Sequence, residues 1–239
     1  MTGIIEALLS KEERATQSAH PRDSVVAAWW GSGASTAAGV SVTPDKALTS
    51  GAVWAAVRLL AETVAMLPLF VYKRLPKDGR EADRDHPLWR VLSDRPNRWQ
   101  TPFEFREMMM GHVLLRGNAY AEILATGGNP IEEVMPLHPD RVVPFWAPDG
   151  RRAYRYQPRE GGQRILLQDE VFHIHGLTSD GLKGLGPIQL HRETVGEDLA
   201  AQEYGARFLA NDATPRGILE WGGSFGEGDA GDEAARAFR

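Results

Sequence analysis

The chain of 239 residues is long enough to bury a hydrophobic core, and its 42% apolar and 25% charged content is typical of a folded globular protein. A formal net charge of −5 argues against tight non-specific binding of nucleic acid, which requires a basic surface. The sequence contains no cysteine, which excludes disulfides, thiolate metal sites and a cysteine nucleophile. No apolar run approaches the roughly 20 residues of a membrane-spanning helix, so no membrane partner is expected.

Residues 1–45 differ in composition from the rest of the chain. The segment IIEALLSKEER at 4–14 has the pattern of a short helix, whereas GSGASTAAGVSVTP at 31–44 is typical of a flexible linker. We therefore predict a flexible N-terminal arm over residues 1–45. Trp29 and Trp30 lie within it, and two interpretations remain open. They either pack onto the nearby domain or anchor a neighbouring subunit, since Trp is favoured at interface hot spots.

An amphipathic helix is predicted directly after the arm. Its apolar stripe recurs at helical spacing and consists of Val53, Val57, Leu60, Val64 and Leu67. Thr49 or Ser50 can cap its start, and Pro68 forbids its continuation. A strand at 69–74 and a charged, exposed loop at 75–85 are predicted to follow.

A second helix carries stronger end signals. Thr101 is a good N-cap, Pro102 suits the first helical position, and Glu104 lies three residues after the cap. Gly117 can adopt the left-handed conformation that ends a helix, and Asn118 tolerates it next best. Because a strand pattern resumes at once, Gly117 and Asn118 are predicted to form a rigid structural corner.

Short strand candidates then follow one another over residues 119–175, separated by Gly, Pro and Asp turns. The first two should pair as a hairpin through TGGNP at 126–130.

From Pro187 to Asn211 no further proline occurs, which predicts one long helix of roughly 35 Å. Its charges are mainly acidic: Glu193, Glu197, Asp198 and Glu203 stand against Arg192 and Arg207. Gly196 and Gly205 each cost about 1 kcal/mol relative to Ala inside a helix, and they suggest close approach by another helix.

No convincing catalytic, metal or cofactor site emerges from the motifs. The segment GGSFG at 222–226 fits the G-x-S-x-G pattern around Ser224, but no histidine follows His191 to serve as its base. His173 and His175 would share one face of a strand, yet no third metal ligand has a telling spacing. Neither a P-loop nor a dinucleotide-binding glycine pattern is present. We predict a protein that is not an enzyme.

The order of several segments carries a resemblance that no single residue does. These segments are SGAVWAAVRLLAETVAMLPLFVYKR, DHPLWRVLSDRPN, TPFEFREMMMGHVLLRGNAYAEIL, EVFHIHG, DGLKGLGPIQ and ANDATPRGIL. In this order and spacing the chain closely resembles the portal proteins of long-tailed bacteriophages and gene transfer agents, over approximately residues 45–239. The resemblance implies an α+β fold. It also implies a wing domain at 46–186, a long stem helix at 187–212 and the start of an α/β clip at 213–239.

The resemblance further implies a homo-oligomeric ring, usually of twelve subunits, at one vertex of a virion or phage-like particle. Double-stranded DNA would pass through it without sequence-specific binding, and the major capsid protein, terminase and a head-tail adaptor would be its partners. ATP hydrolysis would belong to the terminase, no cofactor is expected, and assembly would occur in the bacterial cytoplasm. Family members are considerably longer, so we expect a C-terminally truncated chain.

The subunit-interface or channel candidates are the long-helix residues Arg192, Glu193, Gly196, Glu197, Asp198, Glu203, Gly205 and Arg207. Two alternatives stay open at this point. One is a truncated serine hydrolase built around Ser224, and the other is a capsid-associated head-tail adaptor that binds a portal without forming one.

Overall fold

A computed structural model of the chain describes residues 36–126 and 129–213. The polypeptide divides into two units, Met1–Ala200 and Ala201–Arg239, and the second is described up to residue 213. The helices of the described residues are α1 (Pro44–Ala47), α2 (Gly51–Met66), α3 (Pro87–Trp89), α4 (Pro102–Arg116), α5 (Pro187–Leu190) and α6 (Arg192–Ala210). A π-helical turn, Arg90–Asp94, follows α3.

Eight strands occur in the same residues: β1 (Tyr72–Arg74), β2 (Arg80–Ala82), β3 (Asn118–Thr126), β4 (Asn129–Leu137), β5 (Val142–Trp146), β6 (Arg152–Tyr156), β7 (Arg164–Leu167) and β8 (Val171–His175). They pair antiparallel in three sheets, ordered β1-β2, β4-β3-β8 and β5-β6-β7. Helices combined with antiparallel sheets confirm the α+β prediction. The predicted hairpin of β3 and β4 is also confirmed, with Ile123 opposite Val134.

The central sheet β4-β3-β8 is covered on both faces, because successive strand residues point to opposite sides. Ala119 and Ala121 of β3 belong to a buried cluster with Phe105 and Met109 of α4. Tyr120, between them, points the other way, into a cluster with residues of the β5-β6-β7 sheet, including Tyr154. The first unit is therefore layered as helix, sheet and sheet.

A third apolar cluster corrects the predicted extent of the arm. Val42, Ala47, Leu115, Ile188 and Val195 are among its buried members. Residues from Thr36 onwards therefore pack against the folded unit, although the composition of 31–44 predicted flexible linker. Small side chains such as those of Thr36 and Val42 suit tight contacts as well as linkers, and composition alone does not separate the two uses.

Helix α2 has the predicted bounds, but much of its predicted apolar stripe is exposed. Leu60 is 49% and Leu67 57% exposed, while the buried residues of the helix are Ala61 and Ala65. Ser50 is the N-cap residue, yet its hydroxyl makes no capping hydrogen bond. The periodicity thus identified the helix but not which of its side chains the same chain covers.

Two further expectations need correction. The loop predicted at 75–85 contains strand β2, which pairs with β1 in a small exposed hairpin. The single helix predicted from Pro187 to Asn211 is divided at His191, where the backbone departs from helical geometry (φ −105°, ψ 23°). The hydrogen bonds His191 N–H to Pro187 O and Val195 N–H to His191 O, both 3.0 Å, still bridge the division. The helical hydrogen bonds therefore continue across the distortion. No proline or glycine occurs at His191, so the sequence gives no local signal of it.

Candidate functional site

The corner after α4 is made as the sequence predicts. Thr101 and Glu104 form a reciprocal capping box at the start of the helix, and Gly117 ends it in the left-handed conformation at φ 76°. The Gly117 N–H donates to Val113 O at 2.8 Å, and its own carbonyl accepts from Gly176 N–H at 2.8 Å. A Cβ atom at Gly117 would lie 2.3 Å from the carbonyl oxygen of Leu185. Both the dihedral and the space therefore require glycine.

Asn118 has a larger role than the sequence suggested. Asn118 is the first residue of β3 and is only 1% exposed. Its side chain forms hydrogen bonds with residues 55 and 66 positions away along the chain. The Asn118 Nδ2 donates to Gly184 O at 2.8 Å, and Oδ1 accepts from Gly184 N–H at 2.7 Å. One amide thus satisfies both backbone groups of Gly184 and fixes the 176–186 loop to the corner.

His173 extends this network and is kept neutral. Its Nε2 lies 3.1 Å from Asn118 Oδ1, which can only accept, so Nε2 carries the proton. Nδ1 then accepts from the Tyr154 hydroxyl at 3.3 Å, and the ring stacks on Tyr120 with centroids 4.4 Å apart. Burial, reinforced by the nearby His175, lowers the pKa of His173 to about 4.

The same hydrogen bonds bear on whether His173 and His175 could serve as metal ligands, the question that their spacing in the sequence raised. His173 and His175 do lie close together, with ring centroids 5.5 Å apart. Both nitrogens of His173 are already engaged within the fold. Among the described residues, no group of three His, Cys, Asp or Glu side chains is placed to hold a metal ion.

Arg116 joins three segments at the corner. Its side chain is 8% exposed and forms ion pairs with Asp140 at 2.9 Å and Asp45 at 3.0 Å. Asp45 lies in α1, and Asp140 lies in the 3-10 turn between β4 and β5. The guanidinium therefore ties α4 to the segments on either side of it.

The candidates in the first half of α6 are used within the chain itself. Glu193 accepts a hydrogen bond from Ala37 N–H at 2.9 Å, and Asp198 accepts one from the buried Ser50 hydroxyl at 2.6 Å. A Cβ atom at Gly196 would lie 2.5 Å from Cγ2 of Thr36. Within the chain, the group that approaches Gly196 closely is a threonine, Thr36. Close approach by a neighbouring helix, which the sequence suggested, stays a prediction. Thr36 and Gly196 are 160 positions apart in the sequence, so local sequence patterns do not reveal this contact.

Arg192 and Glu197 complete the candidates of the first unit. Arg192 lies beside Glu193, with their charged groups 3.6 Å apart. Glu197 is exposed.

The candidates of the second unit lie on a solvent-exposed part of the helix. Arg207 and Glu203 form an ion pair one turn apart. Tyr204 and Phe208 stack on each other with ring centroids 6.4 Å apart. A Cβ atom at Gly205 would meet nothing within 4 Å among the described residues. A role for Gly205 in contacting another subunit stays a prediction.

Comparison with known proteins decides between the open interpretations. The sequence profile of the phage portal protein family matches residues 51–239. The chain belongs to the phage portal protein family. The portal protein of Enterobacteria phage HK97 is 32% identical over 184 residues, covering 76% of this chain and 43% of that protein. The probable portal protein of Streptomyces phage phiC31 is 33% identical over 204 residues, covering 82% of this chain and 44% of its own.

The fold is also similar to that of a chain in a solved particle neck. A chain in the neck of a native gene transfer agent particle, computed with C12 symmetry, matches 81% of this chain and 51% of its own. The TM-score is 0.58 at 25% identity. The chain spans less than half the length of the two phage relatives that it matches.

These matches support the portal interpretation and neither the serine hydrolase nor the adaptor alternative. The portal family is structural and is not known as a family of enzymes. Ser224, Trp29, Trp30 and all but the first residue of the clip segment predicted at 213–239 lie outside the described residues. Within those residues, no helix is both long and apolar enough to cross a lipid bilayer.

Proposed function

We propose that this chain is a subunit of a portal: a closed ring, of twelve copies, at one vertex of the capsid of a phage or gene transfer agent. DNA would enter and leave through the central channel. The major capsid protein, terminase and a head-tail adaptor would bind around it, and the terminase would supply ATP hydrolysis. The observation that carries the proposal is the family match over residues 51–239. The C12 symmetry of the similar neck structure favours the copy number.

The geometry of the first unit suits a subunit that transmits force without changing shape. Packaging pushes a stiff polymer through the ring, so the elements around the channel must keep their relative positions. The corner at Gly117 is fixed by backbone contacts, by the two bonds from Asn118 to Gly184 and by the paired Arg116. A corner held by several independent contacts deforms less under load than a hinge that is held by few contacts.

The charge of helix α6 suits passage of a polyanion. Each phosphate that a protein neutralises adds affinity and therefore friction. Glu193, Glu197, Asp198 and Glu203 outnumber Arg192 and Arg207 along the helix. We propose that α6 is the stem helix of the ring and that its exposed carboxylates limit DNA adhesion.

Deletion and complementation in the native phage or gene transfer agent test this function. Particles made without the gene should contain no DNA, and the wild-type gene supplied in trans should restore packaging. A fluorescent tag on the subunit should appear at a single vertex of each particle. DNA-filled particles from the deletion strain, or label spread over the whole shell, would contradict the proposal.

A further inference from the structure

Helix α2 carries no charge on the side that faces away from α4. Its buried residues, Ala61 and Ala65, lie on the side that packs against α4, where Arg106 donates to Ala65 O at 2.8 Å. Its two charged residues, Arg58 and Glu62, pair with each other one turn apart on the flank of the helix. We call the exposed residues of the opposite side the α2 face: Ala52, Ala55, Ala56, Leu59, Thr63 and Met66.

The α2 face has the composition of a contact surface. Thr63 is its one polar side chain, and the hydroxyl donates to Leu59 O at 2.6 Å within the helix. Leu59 and Met66 are 67% and 66% exposed in the single chain. A helix at a protein surface normally presents charged and polar residues to water, whereas a helix that is apolar on all sides is buried.

The β5-β6-β7 sheet has a second apolar face. Its inner side contributes Val142, Tyr154 and Leu166 to a buried cluster. An antiparallel sheet with its other face in water normally alternates apolar and polar residues, and these strands do not. Because successive residues point to opposite sides of a sheet, the outer side is formed by Val143, Phe145, Ala153, Arg155, Ile165 and Leu167, which we call the outer sheet face.

The outer sheet face is apolar in spite of its one charged residue. The Arg155 guanidinium lies over the ring of Phe145, 5.5 Å from its centroid. An arginine placed in this way covers apolar surface with its aliphatic stem. Val143 and Leu167 of the same face are 53% and 40% exposed. The first unit therefore has two apolar faces that the described part of the chain leaves open.

These two faces lie on opposite sides of the central sheet. Helix α2 packs with α4 on the side that Ala119 and Ala121 face, whereas β5-β6-β7 packs on the side that Tyr120 faces. In a closed ring, every copy contacts one neighbour with one surface and its other neighbour with a different surface. Under the C12 symmetry of the similar neck structure, each copy is rotated by only a twelfth of a turn from the next. The two contact surfaces of a subunit must then lie on nearly opposite sides.

We propose that the α2 face of each copy packs against the outer sheet face of the neighbouring copy. This inference rests on the proposed function, because a ring supplies a neighbour on both sides. A second copy is the occupant that covers both apolar faces with one kind of contact. A large side chain that is half exposed offers on the order of 100 Å², so the two faces, with the flanking Leu60 and Leu67, would bury roughly 1,000 Å² in total. That area reaches the lower end of specific protein interfaces.

Chemical cross-linking between single-cysteine variants tests the pairing of the two faces. The chain contains no cysteine, so Leu59→Cys and Leu167→Cys each introduce one thiol, on different faces. Mixed in equal amounts and treated with a short bismaleimide, the two variants should form a cross-linked dimer, whereas neither should do so alone. Each chain carries one cysteine, and every product therefore joins two chains. Leu59→Cys mixed with Leu177→Cys is the matched control, because Leu177 is exposed on neither face, and its yield should be at least about tenfold lower.

Charged substitutions test whether the contact is needed for assembly of the full chain. Leu59→Glu with Met66→Glu would place two carboxylates in the contact, where they would lose water without gaining a partner. In native mass spectrometry, the concentration for half-maximal assembly should rise at least about a hundredfold. Trp99→Glu with Leu177→Glu adds the same charge at two other exposed apolar positions and should leave assembly unchanged. Urea denaturation of the monomer should not distinguish the two double variants, since all four positions are exposed in the single chain.

Several results would overturn the proposal. Cross-linking of Leu59→Cys to itself would show that α2 pairs with α2 of another copy about a two-fold axis. Protection of Leu59→Cys from a small maleimide in the dilute monomer would show that the same chain covers the α2 face. Unchanged assembly of Leu59→Glu with Met66→Glu would show that the face is not a contact between copies. In each case the proposed function stands if the wild-type chain still forms rings, whereas a wild-type chain that does not associate overturns both.

Discussion

Replacing Gly117 by alanine should destabilise the first unit far more than the loss of a left-handed glycine alone. The left-handed dihedral costs a non-glycine residue about 1–2 kcal/mol. The added Cβ would also lie 2.3 Å from Leu185 O and 2.8 Å from Gly184 O, both backbone atoms that cannot rotate away. The 176–186 loop would have to retreat and stretch the two buried bonds from Asn118 to Gly184, at about 1 kcal/mol each. We expect a total of about 3–4 kcal/mol, a large share of the 5–15 kcal/mol typical of a whole domain.

Gly39 offers a matched control for that experiment. It has the same φ of 76°, but a Cβ there would meet nothing within 4 Å among the described residues. Gly39→Ala should therefore cost only the dihedral term, about 1–2 kcal/mol. Urea denaturation followed by circular dichroism measures both variants, and hydrogen exchange at the Gly184 amide should accelerate in Gly117→Ala alone. Equal losses for the two variants would refute the close approach of Leu185 as the reason for glycine at the corner.

Three further predictions follow from the contacts of α6 and the buried histidines. Gly196→Ala should destabilise the first unit because the added Cβ meets Thr36, whereas Gly205→Ala should gain up to about 1 kcal/mol of helix stability. In urea denaturation, Thr36→Ala should recover part of the stability lost in Gly196→Ala. Equal stabilities for Gly196→Ala and Gly205→Ala would contradict this prediction. Burial lowers the pKa of both His112 and His173 to about 4, so the folded chain keeps both side chains uncharged. Above about pH 6.5 the unfolded chain also keeps them uncharged, and the free energy of unfolding is not reduced by their protonation. As pH falls from 6.5 towards 4 the unfolded chain takes up protons that the folded chain does not, which should cost about 1–2 kcal/mol per histidine at pH 5. His173→Gln should halve this loss in urea titrations at pH 7 and pH 5, and a wild type whose stability is the same at both pH values would contradict the prediction. Glu197→Lys with Glu203→Lys should make the assembled ring retain double-stranded DNA at low salt and release it at high salt, and Glu81→Lys with Glu160→Lys should not; equal retention would show that the charge of α6 does not matter.

Local signals predicted the parts of the fold that depend on local physics. Thr101, Pro102, Glu104 and Gly117 act within a few residues of themselves, and the sequence therefore located α4 and its corner to the residue. The β3–β4 hairpin was found for the same reason, since alternating strands flank a turn-forming segment.

Contacts between distant residues were not predictable in the same way. Asn118 could be placed at the corner, but its partners Gly184 and His173 follow only from the packing of the 176–186 loop and β8. Gly196 was correctly singled out for close approach, yet the approaching residue, Thr36, lay in a segment whose composition is that of a linker. The stripe of α2 shows a further limit, because apolar periodicity reveals that a face will be covered but not by what. Leu60 and Leu67 stay exposed in the isolated chain.

The mass and symmetry of the purified native assembly test the central claim most directly. Native mass spectrometry should give twelve times the subunit mass, and electron microscopy of the same sample should show closed rings with an open central channel. A protein that remains a monomer or a closed dimer at micromolar concentration, or whose rings have no channel wide enough for a DNA duplex, would contradict the account.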